Sequence, residues 1–154
     1  MIEHPVYVFD IDGTLADCSH RMHFVKERPK NWKAFFNTMH LDTPVESIID
    51  LLKYLSKNAT IVFCTGRPNN YRQVTVDWLY DNLDPYLGSK DYISEQLYMR
   101  DQKDNLPDYV TKLELCDEII EEYGKIDLWF DDRQGVVDAL RAKGVKVLQV
   151  SPSE

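Results

Sequence analysis

The chain has 154 residues, 44% hydrophobic and 29% charged, a length that fits one domain able to bury a core without disulfide staples. Seven prolines and 6 glycines exclude a collagen-like or disordered chain, and no apolar run approaches the roughly 20 residues of a membrane span. Eighteen basic residues against 26 acidic ones give −8, a balance that disfavours broad, non-specific binding to a nucleic-acid backbone. The opening Met1-Ile2-Glu3-His4-Pro5 lacks a basic region followed by an apolar one, so no secretory leader is expected. Cys18, Cys64 and Cys116 are odd in number and widely spaced, which argues against a disulfide framework or zinc site and for a reducing, cytoplasmic compartment.

In chain order, Val6-Tyr7-Val8-Phe9 reads as a strand buried on both faces and ends at Asp10-Ile11-Asp12-Gly13. Residues 17–42 are irregular. Within them, 19–40 hold Arg21, Lys26, Arg28, Lys30 and Lys33 against Glu27 alone, 5 − 1 = +4, interleaved with Phe24, Trp32, Phe35 and Phe36. This stretch reads either as a solvated helix with an aromatic face on the core or as a surface that meets a phosphate and a base. Thr43-Pro44-Val45-Glu46 has the form of a capping box with Pro at the first helical position, and Val45, Ile48, Ile49, Leu52 and Leu55 follow at helical spacing.

Thr60–Cys64 repeats the strand pattern and ends at Thr65-Gly66-Arg67-Pro68, after which 68–83 carry Tyr71, Val74, Trp78 and Leu79 at helical spacing. Gln96–Met99 is a weaker strand. A helix is predicted over 107–123, a strand over Ile126–Phe130 ending at Asp131-Asp132-Arg133, a helix over about 134–143 stopped by Gly144, and a last strand over Val145–Val150. Strands alternating with helices predict an α/β class, a Rossmann-like three-layer sandwich around a central parallel sheet, as a single domain over 1–154 with a minimal cap-like insertion at 17–42.

Ligands of open parallel sheets sit beyond the carboxyl ends of the strands. Three predicted strands end there in polar groups: Asp10 and Asp12, Thr65 and Arg67, Asp131 and Asp132. Carboxylates converging in one crevice repel one another unless a cation lies among them, and hard oxygen ligands suit Mg2+. Asp10 is placed to act as a nucleophile toward phosphorus, and Asp12, two residues on, as acid and base for the leaving oxygen and the hydrolytic water. Thr65 and the backbone at Gly66, just before a predicted helix, suit a phosphate. Asp108 and Lys112 share a helix face, either as a surface ion pair or as a lysine oriented toward a transferring phosphoryl group. Cys64 reads as a buried strand cysteine, and the four histidines as surface residues.

Asp10-Ile11-Asp12-Gly13-Thr14, Thr65, Lys112 and Asp131-Asp132, in this order, resemble the four motifs of the haloacid dehalogenase (HAD) superfamily of phosphohydrolases. The resemblance implies an aspartyl-phosphate on Asp10, acid–base work by the Asp12 side chain, and Mg2+ held by Asp10, the backbone carbonyl of Asp12 and the Asp131/Asp132 pair, with Asp132 the preferred direct ligand. Arg21, Thr65-Gly66-Arg67, Arg100-Asp101-Gln102, Asp108 before Lys112, and Asp131–Val137 also look similar to the 3′-phosphatase domains of bacteriophage polynucleotide kinase/phosphatases. That likeness implies that Arg21 and Arg67 are substrate-phosphate or active-site arginines, that Asp108 positions Lys112 or Arg67, and that 3′-phosphorylated DNA or RNA ends are the substrate. No G-x-x-x-x-G-K-[ST] loop is present, so a free-standing phosphatase is expected. The alternatives are a nucleotidase or small-ester phosphatase of the same superfamily, and a catalytically idle binding module of the same fold.

Overall fold

A computed structural model describes residues 3–153. Met1 and Ile2, which head the segment read for a leader, and Glu154 lie outside the described residues. The strands are β1 (Val6–Phe9), β2 (Ala16–Asp17), β3 (Thr43–Pro44), β4 (Thr60–Pro68), β5 (Leu97–Arg100), β6 (Leu128–Arg133) and β7 (Val147–Ser153). The helices are α1 (His23–Lys26), α2 (Trp32–Asn37), α3 (Glu46–Leu55), α4 (Arg72–Leu83), α5 (Lys90–Glu95), α6 (Asp108–Tyr123) and α7 (Gln134–Ala142). Five strands form one parallel sheet in the order β5-β4-β1-β6-β7. The first strand is central: the chain winds outward to β5, then crosses back through α6 to build the other half, so β1 lies at the topological switch point. The α/β, three-layer architecture expected from the alternating pattern is what the chain adopts.

Strand parity divides the core in two. Val6 and Val8 of β1, Val62 and Cys64 of β4, and Trp129 of β6 face α6 and α7, meeting Leu115, Cys116, Ile119, Val136, Val137 and Leu140. Phe9, Ile61, Phe63 and Phe130 point the opposite way, onto Ile49 and Leu52 of α3 and Val76, Leu79 and Leu83 of α4. Side chains alternate across a strand, so Asp10 extends the Val6–Val8 row and Asp131 the Trp129 row, both toward α6.

Three expectations need correcting. Thr43 and Pro44 do not cap α3: they pair antiparallel with Asp17 and Ala16, zipping shut the two ends of the insertion, and α3 starts at Glu46 behind Val45 with no side-chain cap. The helix expected from residue 68 begins at Arg72, because β4 stays extended through Pro68 and a 3₁₀ turn, Asn69–Tyr71, intervenes. The short α5 went unpredicted, and Ser89 caps it by accepting from the Tyr92 amide at 3.1 Å. Gly144, by contrast, ends α7 as expected: with φ +96° it lets the amides of Gly144 and Val145 reach back to the carbonyls of Arg141 and Leu140. Among the described residues, no helix is long and apolar enough to cross a membrane.

Candidate active site

The turn after β1 is built on one carbonyl. The Ile11 oxygen accepts from the amides of Thr14, Leu15 and Ala16, at 3.1, 2.9 and 2.9 Å, and Gly13 adopts φ +85° to make the reversal. This reversal separates the two carboxylates. Asp10 turns toward α6 and Asp12 toward the insertion.

Asp10 is buried, and both its oxygens are held: the Lys112 ammonium donates to Oδ1 at 2.7 Å and the Thr14 hydroxyl to Oδ2 at 3.0 Å. Lys112 also donates to Asp131 Oδ2 at 2.8 Å, and Asp131 accepts from the Trp129 indole at 3.2 Å and from the Arg133 amide at 3.2 Å. Lys112 belongs to the buried stripe of α6 with Thr111, Leu115, Cys116 and Ile119, which rules out the exposed ion-pair reading. Burial, then Asp131 and Asp132, push the Asp10 carboxyl well above its ordinary value against the pull of Lys112. Burial alone would lower Lys112, but Asp10 and Asp131 hold it well above the usual lysine range.

Asp10, Asp131 and Asp132 each offer an oxygen, all within 4.8 Å of one another. Three carboxylates against one ammonium sum to 1 − 3 = −2 in a buried crevice. Such a donor set, all oxygen and doubly negative, fits a hard divalent cation. A Cβ at Gly13 would lie 2.2 Å from Asp132 Oδ2, so a glycine is required where the turn passes this pocket.

The Asp12 carboxylate lies apart from these ligands, free for the acid–base role the resemblance implies, which asks only its backbone carbonyl of the metal. Arg21 Nη2 donates to Asp12 Oδ1 at 2.8 Å and Arg67 Nη2 to the same oxygen at 2.7 Å, with Arg67 Nε at 3.2 Å from both oxygens. Burial raises the Asp12 pKa, but Arg67, followed by Arg21 and Lys112, outweighs it and holds the carboxyl below the usual range. The Asp12 side chain is 27% exposed, whereas those of Arg21 and Arg67 are enclosed at 0% and 1%. Of the two roles expected for these arginines, contact with substrate phosphate or a place within the active site, the geometry favours the second. Enclosed and fully engaged, they grip Asp12.

The residue that holds these arginines escaped the sequence reading. Asp42, its carboxylate wholly enclosed, accepts from Arg21 Nε and Nη2 at 2.8 Å each, from Arg67 Nη2 at 3.2 Å and from His20 Nε2 at 2.7 Å. Its backbone carbonyl takes the Trp78 indole at 2.8 Å. His20, read as a plain surface histidine, therefore joins the same network. No spacing signals Asp42: it lies 21 residues from Arg21 and 25 from Arg67, and only the closed insertion brings them together.

Thr65 is buried, and its hydroxyl accepts from the Arg67 amide at 3.2 Å. Gly66 passes so close to Asp108 that a Cβ there would stand 2.3 Å from Oδ1, and its carbonyl accepts from Arg100 Nε at 3.0 Å. Asp108 does not meet Lys112 or Arg67 as expected. Lys112 points inward, and the ion-pair partners of Asp108 are Arg100 and Arg133, each at 3.6 Å. The loop carrying Gly66 is thus tied to the start of α6 by Arg100 and Asp108.

A family model described as the polynucleotide kinase PNKP phosphatase domain matches residues 4–154. A protein of Autographa californica nuclear polyhedrosis virus, named as a bifunctional polynucleotide kinase/RNA ligase, is 32% identical over 130 residues, 83% of this chain and 16% of the viral protein. A chain of the Pnkp1/Rnl/Hen1 complex superposes with a TM-score of 0.75 at 25% identity, over 98% of this chain and 46% of that one. The class C acid phosphatase from Bacillus anthracis gives 0.69 at 21% identity, over 98% of this chain and 67% of that one, a likeness of fold. This chain therefore spans less than half of the viral protein and of the Pnkp1/Rnl/Hen1 chain.

Proposed function

This chain belongs to the polynucleotide kinase phosphatase-domain family, a HAD-type phosphoric monoester hydrolase, and on that premise we propose that it is a magnesium-dependent enzyme removing 3′-phosphates from polynucleotide ends. The observation that carries the reading is Asp10: a buried carboxylate at the end of the central strand, fixed through both oxygens, beside two further acids and one lysine. In this reading Asp10, Asp131 and Asp132, with the backbone carbonyl of Asp12, would hold Mg2+, which would supply positive charge to neutralise the phosphate and to favour ionised Asp10.

The remaining work falls to the chain. Thr14 and Lys112 fix the Asp10 carboxylate in line with phosphorus; an Asp10 oxygen forms the new P–O bond as the bond to the 3′-oxygen breaks. Lys112, held between Asp10 and Asp131, faces the charge that develops on the phosphoryl oxygens. Asp12, gripped by Arg21 and Arg67, gives its proton to the departing 3′-oxygen and then takes one from the water that splits the aspartyl-phosphate, releasing inorganic phosphate. The guanidiniums suit the second step directly, since they favour ionised Asp12. In the first step the negative charge of the bound ester opposes them and raises its affinity for a proton. Thr65 offers its hydroxyl to the phosphate.

The test is a side-by-side assay of a 3′-phosphorylated oligonucleotide, a nucleoside 3′-monophosphate and a 5′-monophosphate, with Mg2+ and with excess chelator. The expected result is the highest kcat/KM on the oligonucleotide, loss of turnover in chelator, and none in Asp10→Asn. Brisk turnover of free nucleotides with no release from the oligonucleotide would replace the reading by a nucleotidase; undiminished hydrolysis in chelator would remove Mg2+ from it.

A further inference from the structure

Two aromatic rings of the insertion and one from the turn after β4 line up beside the site. Trp32 and Phe36 of α2 stack at 5.9 Å with 25° between planes, and Phe36 meets Tyr71 at 5.1 Å. The row is tied to the arginine grip from two sides. Phe35, against which Trp32 and Phe36 pack edge-on, lies under the Arg21 guanidinium at 4.4 Å and gives its carbonyl to Arg21 Nη1 at 3.3 Å. The Tyr71 carbonyl accepts from Thr75, whose hydroxyl accepts from Arg67 Nη1 at 3.1 Å. One end of the row thus begins a single side chain away from the residues that hold Asp12.

The far end is open. Trp32 is 51% exposed, and the Lys30 ammonium sits over its ring at 5.7 Å. Neither core cluster includes Trp32, Phe36 or Tyr71. Residues 26–33, which lead into the row, carry exposed Lys26, Arg28, Lys30 and Lys33 with Glu27 as the one acid, 4 − 1 = +3, in a chain whose formal charge is −8. A ring row with one exposed and two half-buried members, in the most basic stretch of an acidic protein, matches what a single strand offers: base faces to stack on and a phosphate backbone to attract.

We propose that Trp32, Phe36 and Tyr71 form a stacking ledge for the bases of a single-stranded polynucleotide whose 3′ end enters the site, with Lys30 and Lys33 drawing its backbone. The assignment rests on the 3′-phosphatase reading only for the direction of the strand. Stacking on an aromatic ring tolerates any base, so the ledge selects for a strand and for its single-stranded state, not for sequence. It also reconciles the two readings of residues 19–40: Phe35 faces inward, and the rest of the face meets ligand.

Two measurements test it. In the first, wild-type protein is titrated with an oligonucleotide ending in a 3′-hydroxyl, which needs no chemistry. Trp78 and Trp129 are buried, so quenching of tryptophan emission reports Trp32, and its loss in Trp32→Tyr makes the assignment specific. The second compares kcat/KM on a 3′-phosphorylated oligonucleotide with that on a nucleoside 3′-monophosphate. Trp32→Ala lowers this ratio by roughly 5- to 150-fold, the span for one lost base stack, and Trp32→Tyr restores most of it. Binding with quenching but no phosphate release from the 3′ end would retire the phosphatase reading and keep the ledge. Phosphate release with no quenching and an unaltered ratio in Trp32→Ala would overturn the ledge and leave that face to a protein segment.

Discussion

Asp42 gives the sharpest test of how the site is held, because it touches no metal ligand and no proposed substrate. Arg21, Arg67, Asp12 and Asp42 form a neutral quartet, 2 − 2 = 0, whose guanidiniums are enclosed. Asp42→Ala leaves two buried cations facing Asp12 alone, a net +1, and breaking a buried pair in this way costs about 3–5 kcal/mol. For a chain of this size each kcal/mol moves Tm by about 2–4 °C, so a fall of roughly 6–20 °C is expected. Activity falls with it: Asp12 loses the fixed fork that aims it, and a 1 Å misplacement can cost on the order of 10²-fold in kcat. Thermal melts and urea titrations read the first effect, and steady-state kinetics well below Tm the second. A double variant, Arg21→Met with Asp42→Leu, separates them: an apolar pair of similar volume recovers stability while Asp12 remains loosely held and kcat stays low. If Asp42→Ala melts within about 2 °C of the wild type and turns over at its rate, the quartet is not what positions Asp12.

Lys112→Met keeps the length of the side chain and removes its charge; kcat is expected to fall about 10²- to 10³-fold, measured on the 3′-phosphorylated oligonucleotide at saturating Mg2+, and unchanged turnover would return Lys112 to a structural role. Gly13→Ala places a methyl group 2.2 Å from Asp132 Oδ2 at a φ of +85°, so the Mg2+ concentration for half-maximal rate should rise and Tm should drop; a neutral outcome would mean the turn yields. Asp127 accepts from the Val6 amide at 2.8 Å, and that bond, outweighing slight burial and aided by Lys125, holds its carboxyl below the usual range. The folded pKa lies below the unfolded one, so the contribution is complete above the ordinary carboxylate range and drains as pH falls through the folded value. Urea midpoints measured down the acid limb should therefore show a shallower pH slope in Asp127→Asn than in the wild type, and parallel limbs would refute the assignment.

The sheet and its order of elements were legible because each buried strand is a short apolar run ending in a polar cluster, and parity alone aims Asp10 and Asp131 at α6. Lys112 was legible as a candidate through its place on the helix. The Asp12 grip was not. Gly13 announces the turn that swings Asp12 aside, but the partners that hold it there, Arg21 and Arg67 backed by Asp42, come from distant parts of the chain with no spacing to link them. The capping box misled for a related reason: Thr43 and Pro44 are used to close the insertion against Ala16 and Asp17, a long-range pairing that local pattern does not encode. Asp42 rides on that same closure, so the sequence signal that hid the strand hid the acid as well.

The alternation along β1 has a bearing on how such a chain can diverge. Val6 and Val8 set the beat on which Asp10 falls, and the neighbouring strand sets the same beat for Asp131 through Trp129. Substitutions leave that rhythm untouched. A single inserted or deleted residue between positions 6 and 10 would rotate Asp10 to the opposite side of the sheet, among the phenylalanines, away from Lys112. A one-residue change of length is therefore far more disruptive in the central strand than in the surface loops or the insertion, where no such parity has to be kept.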